Sequence, residues 1–173
     1  MLSIVLAGIT LCLAGLLAAS VKHKVTNAHG LAQHIQGSGF IGRLPNSAAL
    51  SIVAIAAAAE AAIALLLVTR FRSWALLCCI LLFATYTLYI FWLIRHKPGE
   101  SCRCFRESSK PVSPVLVVRN LILIGITAFG WAVGSRELMV SDYAIAATPA
   151  GTAVFVTLYL DEIADFFTLR PSH

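Results

Sequence analysis

Two cysteines one residue apart are the feature of this sequence that is best suited to chemistry. Cys102 and Cys104 lie in a short polar stretch, with Arg103 between them and Phe105 and Arg106 directly after. A thiol reacts as its thiolate, and nearby positive charge lowers the pKa of the thiol. The two arginines therefore favour reactive cysteines at this place.

The spacing of Cys102 and Cys104 also bears on what a disulfide between them could do. An extended tripeptide spans close to the upper limit of the Cα separation found in disulfides, so the chain must turn to close the bond. Strained and exposed disulfides are the kind that exchange readily. The pair is thus better suited to passing electrons than to holding a fold together.

Two other interpretations of the pair stay open. The cysteines could be ordinary loop residues that are paired for stability. They could also bind copper(I) or zinc together with His96, because thiolates and imidazoles are ligands for these metals. A convincing fourth ligand is lacking, so we assign no metal ligand.

The composition indicates the elements that must position this loop. The chain of 173 residues is 59% hydrophobic and only 12% charged, whereas soluble domains are about 25% charged. Apolar stretches long enough to cross a bilayer predict an all-α integral membrane protein, a small bundle of four to five transmembrane helices in one domain over 1–173. The predicted spans are 2–21, 48–68, 74–94, 115–134 and, near the lower length limit, 143–160.

The basic residues of the chain lie in the segments that connect these spans. This is the usual flank of membrane helices and not a nucleic-acid footprint. The side of the membrane that carries the cysteine loop has most of them, and the positive-inside rule makes that side cytoplasmic. The rule does not apply to charges whose role is to stabilise the thiolates of the cysteines. The side with the cysteine loop holds Lys22, Lys24, Arg43, Arg95, Lys97, Arg103, Arg106 and Lys110. The other side holds Arg70, Arg72 and Arg136.

Polar residues inside the spans mark further candidate sites. Glu60 lies near the middle of the second span, where an ionised acid costs roughly 2.5–3.5 kcal/mol, so it should face the bundle interior and find a partner. Tyr86 and Thr85 are candidate partners, and the role is either proton or ligand chemistry or a plain interhelical hydrogen bond. Arg119, followed by Asn120, lies about one turn into the fourth span. Its side chain either extends to the surface or stabilises a thiolate in the loop.

The other three cysteines, Cys12, Cys78 and Cys79, fall within spans. Membrane helices often carry cysteine as a small apolar residue. The alternative is a relay of thiols across the membrane, which requires the helices to bring sulfur atoms together or to share a quinone as cofactor.

These features, taken in order, resemble the MauE family of methylamine utilisation membrane proteins, which groups with the DoxX-like redox-associated membrane proteins. The resemblance rests on the first span ending in Lys22 or Lys24, Pro45 before a span with Glu60, the Cys102-x-Cys104-Phe105 loop, and Arg119-Asn120. The family loop continues with glycine, and Arg106 stands at that position here.

The resemblance implies a multi-pass protein of the bacterial inner membrane that supports maturation of the methylamine dehydrogenase small subunit, a periplasmic and disulfide-rich client. It also implies a thioredoxin-like, membrane-anchored partner of the MauD type. A periplasmic client places the cysteine loop outside, against the charge count. Two hypotheses follow: a thiol–disulfide oxidoreductase component, or a non-catalytic assembly or transport factor whose cysteine loop is incidental or binds metal.

Overall fold

Every secondary-structure element in the described part of the chain is an α-helix. A computed structural model describes residues 1–38, 45–96, 114–134 and 138–168, with side chains up to residue 159 except that of Ser38. The helices in these ranges are α1 (Leu2–Thr26), α2 (Ala28–Ser38), α3 (Asn46–Leu67), α4 (Arg72–His96), α5 (Pro114–Ala132) and α6 (Val140–Thr168).

Four of these helices are long and apolar enough to cross a membrane. They are α1, α3, α4 and α5, with 19 to 25 residues each, which corresponds to roughly 28–38 Å at about 1.5 Å per residue. This confirms the predicted small all-α membrane bundle. The expected fifth span falls within α6, which has 29 residues and contains Pro149. That span stays a prediction.

The first two helices form an almost continuous element that is longer than its apolar stretch. Helix α1 continues five residues beyond residue 21, and Asn27, with φ −120° and ψ 30°, separates it from α2. Helix α2 has eleven residues. It packs mainly on α3 and contains two buried residues, Leu31 and Ala32. The extension of α1 matters because it brings Lys24 onto the helix.

The main apolar cluster of the bundle receives residues from all four spanning helices. Helix α1 packs on both α3 and α6, α4 packs on α5 and α3, and α5 and α6 contact each other little. We call this group the core cluster. Its buried members are Leu13, Leu16, Leu17, Ile63, Leu67, Ala75, Leu76, Cys79, Phe83 and Leu123.

The contacts between α4 and α5 show that these two spans run antiparallel, and the short connection 68–71 reverses the chain between α3 and α4. Near one end of α4, Leu76 lies 3.8 Å from a β-carbon built on Gly130, late in α5. Near the other end, Ile90 clusters with Leu116, early in α5. Because α4 ends and α5 begins at the same side of the bundle, the segment 97–113 joins them there. Cys102, Arg103, Cys104 and Phe105 belong to this segment, which lies outside the described residues.

Candidate functional site

An ion pair is buried between the first two spanning helices. Lys24 Nζ lies 2.7 Å from Glu60 Oε1 and 2.9 Å from Oε2. The side chain of Lys24 is 8% exposed and that of Glu60 is fully buried. Because a charge inside a membrane bundle is costly unless it is paired, each residue accounts for the burial of the other's charge.

Two neighbouring hydroxyl groups complete the environment of this pair. Lys24 Nζ donates to Ser20 Oγ at 2.6 Å, one turn earlier on α1. The Tyr86 hydroxyl of α4 donates to Glu60 Oε1, and Lys24 Nζ lies 5.3 Å from the centroid of the Tyr86 ring. A single hydrogen-bonded network therefore joins α1, α3 and α4.

The expectation that Glu60 faces the interior is met, and Tyr86 is one of its partners. Thr85, the other candidate, donates to the carbonyl of Leu81 on its own helix at 2.8 Å. Lys24 is the partner that the sequence analysis missed, since it assigned this residue to a connecting segment. The available signal was the spacing of Ser20 and Lys24, four residues apart and so on one helix face. A lone acid in an alanine-rich span also needs a partner from another helix.

Polar side chains occupy the same level in all four spanning helices. On α1 and α4, the residues one turn nearer to the cysteine-loop side than the core cluster are Ser20, which follows Leu17, and Tyr86, which follows Phe83. The antiparallel helices reach that level by moving backwards along the chain, from Ile63 to Glu60 and from Leu123 to Asn120. We call Ser20, Lys24, Glu60, Tyr86 and Asn120 the polar layer.

Asn120 differs from the other members of the polar layer. It is 0% exposed, and neither Nδ2 nor Oδ1 of its amide has a hydrogen-bond partner in the described part of the chain. Buried side-chain polar atoms in folded proteins nearly always have a partner. The structure thus holds an unsatisfied donor and acceptor at the level of the ion pair.

The neighbouring Arg119 faces a different surface of the bundle. It is 7% exposed and lines a narrow crevice together with Leu16, Leu123, Thr157 and Leu158. The crevice lies between α1, α5 and α6, and it has no room for a water molecule. Arg119 is five residues into α5, so its backbone lies about 7.5 Å along the helix from the end that joins the cysteine loop.

The remaining cysteine predictions divide between described and undescribed parts of the chain. Cys12, Cys78 and Cys79 are free thiols. Cys79 belongs to the core cluster and Cys12 packs against that cluster, whereas Cys78 is exposed. In the ranges that the structure describes, no group of three or more metal-ligating side chains comes together. The exchange chemistry of Cys102 and Cys104 and the supporting roles of Arg103 and Phe105 stay predictions.

Comparison with known proteins adds one family to these observations. The family described as "Methylamine utilisation protein MauE" matches residues 2–133 of the chain. The matched region contains all four spanning helices, the polar layer and the segment with Cys102 and Cys104. No curated protein and no solved structure matches the chain.

Proposed function

This chain belongs to the MauE family of methylamine utilisation proteins, and we propose that it supports maturation of the methylamine dehydrogenase small subunit. The proposed chemistry is thiol–disulfide exchange through Cys102 and Cys104. The observation that carries the proposal is the family match over 2–133, because it includes the Cys-x-Cys loop between α4 and α5. The membrane-spanning helices support a setting in a lipid bilayer, which the resemblance narrows to the bacterial inner membrane.

The exchange proceeds in two steps that conserve thiols and disulfides. A thiolate of the client attacks one sulfur of the Cys102–Cys104 disulfide, which breaks that bond and forms a mixed disulfide. The second client thiol then displaces the loop cysteine. The client gains a disulfide, and the loop pair takes up two electrons and two protons. The disulfide of a thioredoxin-like, MauD-type partner accepts them in turn and restores the pair.

Nearby positive charge favours the leaving thiolate of the loop pair. Arg103 lies between the two cysteines in sequence, and we assign Arg119 to the same task from behind the loop. The polar layer contributes by holding the bundle together. Since the Glu60 network links α4 to α1 and α3, it fixes the helix that leads into the loop, and α5 packs along that helix.

Capture of a mixed disulfide tests the proposal. Changing one loop cysteine leaves the other unable to resolve the intermediate, so Cys102→Ser or Cys104→Ser should trap a partner. The adduct would be isolated from methylamine-grown cells under non-reducing conditions and identified by mass spectrometry. We expect the thioredoxin-like partner or the dehydrogenase small subunit. Cys78→Ser is the control. This variant keeps both loop cysteines and removes only an exposed thiol within a span, so it should trap nothing.

The competing hypothesis, a non-catalytic assembly or transport factor, gives the opposite result. The double variant Cys102→Ser/Cys104→Ser would then leave dehydrogenase activity intact, and neither single variant would capture a partner. Those two findings together would refute thiol exchange. Copper or zinc in the purified protein, lost in the double variant, would identify the metal-binding version of that hypothesis.

A further inference from the structure

We propose that Asn120 is a second hydrogen-bond partner for the Tyr86 hydroxyl, which gives the polar layer two arrangements. In the observed one, Tyr86 donates to Glu60, and both polar atoms of the Asn120 amide are buried without a partner in the described part of the chain. In the second, the hydroxyl leaves Glu60 and donates to Asn120 Oδ1. The layer is thus a conformational switch that ties α4 either to α3 or to α5.

The packing of α4 on α5 places Tyr86 and Asn120 at the same level of one interface. Ile90 clusters with Leu116 near the cysteine-loop side. Four residues back along α4 from Ile90 is Tyr86, and four residues forward along α5 from Leu116 is Asn120. Because the helices are antiparallel and residues four apart share a helix face, both steps lead to the same place. The axes of packed helices lie about 8–10 Å apart, a distance that a tyrosine and an asparagine side chain bridge together.

The surroundings of Tyr86 permit the movement. Its side chain is only half-buried, whereas Phe83, one turn earlier on α4, is fully enclosed in the core cluster. Glu60 does not depend on the tyrosine, because Lys24 Nζ lies 2.7 and 2.9 Å from its two oxygens. The charge of Glu60 is therefore compensated in either arrangement. The hydroxyl has one proton to donate, and Glu60 and Asn120 compete for it.

Each arrangement has its own energetic cost. The observed one keeps a hydrogen bond to a charged acceptor and the 5.3 Å contact of Lys24 Nζ with the centroid of the Tyr86 ring, but it leaves the amide oxygen of Asn120 unsatisfied. The second satisfies that oxygen and gives up the other two contacts. A hydrogen bond to a charged group and a buried unsatisfied acceptor involve free energies of the same order. A change that removes Glu60 as an acceptor therefore shifts the equilibrium towards Asn120.

A switch at this position acts on the helix that follows the cysteine loop. Helix α5 begins at Pro114, after the segment that carries Cys102 and Cys104. In the second arrangement the hydrogen bond from Tyr86 holds α5 against α4, and in the observed one it does not. This consequence for the loop rests on the proposed function, in which the loop pair reacts in turn with two different proteins. The hydrogen bond itself does not rest on it, so the two ideas can fail separately.

Removal of the ion pair tests whether Tyr86 turns to Asn120. In Lys24→Met/Glu60→Met the hydroxyl has lost its acceptor, so we expect it to donate to Asn120. Adding Asn120→Leu to that variant should lower the melting temperature by about 2–4 °C. In the wild type, Asn120→Leu should leave the melting temperature unchanged or raise it, because the change removes an unsatisfied polar group. Melting of the full chain is measured in detergent micelles, and an effect of the same sign in both backgrounds would overturn the proposal.

The carbonyl signal of the amide reports the same bond directly. The chain has three asparagines, Asn27, Asn46 and Asn120, so ¹³C labelling of asparagine side-chain carbonyls gives three NMR signals, and Asn120→Leu identifies its own. In the variant without the ion pair, Tyr86→Phe should shift the Asn120 signal because it removes only the hydroxyl.

Tyr143→Phe is the matched control, since Tyr143 lies near the starts of α6 and α1 and should leave the Asn120 signal in place. Cys102→Ser/Cys104→Ser should change neither the melting result nor the shift, which keeps the test independent of thiol exchange. An Asn120 signal that is the same with and without the Tyr86 hydroxyl would also overturn the proposal.

Discussion

At the scale of single residues, Lys24 and Glu60 depend on each other. Both Nζ–Oε distances are below 3 Å, and Ser20 and Tyr86 provide further hydrogen bonds. A buried ion pair need not be more stable than an apolar pair of the same volume. Removing only one partner, however, leaves an unpaired charge in a medium that cannot solvate it.

A double-mutant cycle should therefore show strong coupling between these residues. We expect Lys24→Met and Glu60→Met each to lower the free energy of unfolding by about 3–5 kcal/mol, since each change leaves one unpaired buried charge. Lys24→Met combined with Glu60→Met removes both charges and should recover most of that loss. The measurement is chemical unfolding in detergent micelles.

The matched control for this cycle lies two residues away on the same helix. Lys22 is exposed, so Lys22→Met should change stability by less than about 0.5 kcal/mol. Additive effects, in which the double variant is as unstable as the sum of the singles, would show that the pair is not coupled.

At the scale of helices, glycine permits the close approach of α1 and α6. A β-carbon built on Gly15 lies 3.0 Å from Val154 Cγ2, so a larger side chain at this position requires the Val154 side chain to shift. Contacts with α1 are also what hold α6, since it contacts α5 little. The seam between α1 and α6 is thus sensitive to volume.

Gly15→Leu should lower the free energy of unfolding by about 1–3 kcal/mol because it overpacks this seam. Gly125→Leu is the matched control, since Gly125 on α5 is exposed and a β-carbon there meets nothing within 4 Å. We expect no loss for the control, as a lipid-facing leucine replaces a flexible glycine in a helix. Unfolding of both variants in the same detergent decides the matter. Equal losses would mean that glycine flexibility, and not the contact with Val154, sets the stability.

The helices also show what a sequence pattern can and cannot predict. The isolated acid at Glu60 predicted its own burial and a bond to either Tyr86 or Thr85, because an unpaired charge in a span is so costly. Lys24 gave no such certainty, since a lysine at the end of an apolar stretch fits a membrane flank equally well. Only the continuation of α1 to Thr26 shows that Lys24 lies inside the bundle and not at a membrane flank. The missing partners of Asn120 depend on packing between helices, which no local pattern contains.

At the scale of the whole molecule, the buried pair changes the orientation argument. The charge count made the cysteine side cytoplasmic and included Lys24 among the flanking cations. In the structure that charge lies inside the bundle and is compensated by Glu60, so it does not reach the lipid headgroups. Arg72 on the opposite side is also buried, at 8% exposure. Lys24 and Arg72 are therefore left out when the positive charges on the two sides of the membrane are counted.

The proposed function requires the cysteine loop to face the periplasm, where the client resides. Intact cells treated with a membrane-impermeant maleimide should therefore label Cys102 and Cys104 after mild reduction, in a background where Cys12, Cys78 and Cys79 are serine. Labelling is read as a mass shift of the purified chain. Thr69→Cys in a chain without the loop cysteines is the reference for the opposite side, because Thr69 is exposed in the connection between α3 and α4. It should react only after the cells are lysed. The reverse pattern would place the loop in the cytoplasm, and direct exchange with a periplasmic client would then be impossible.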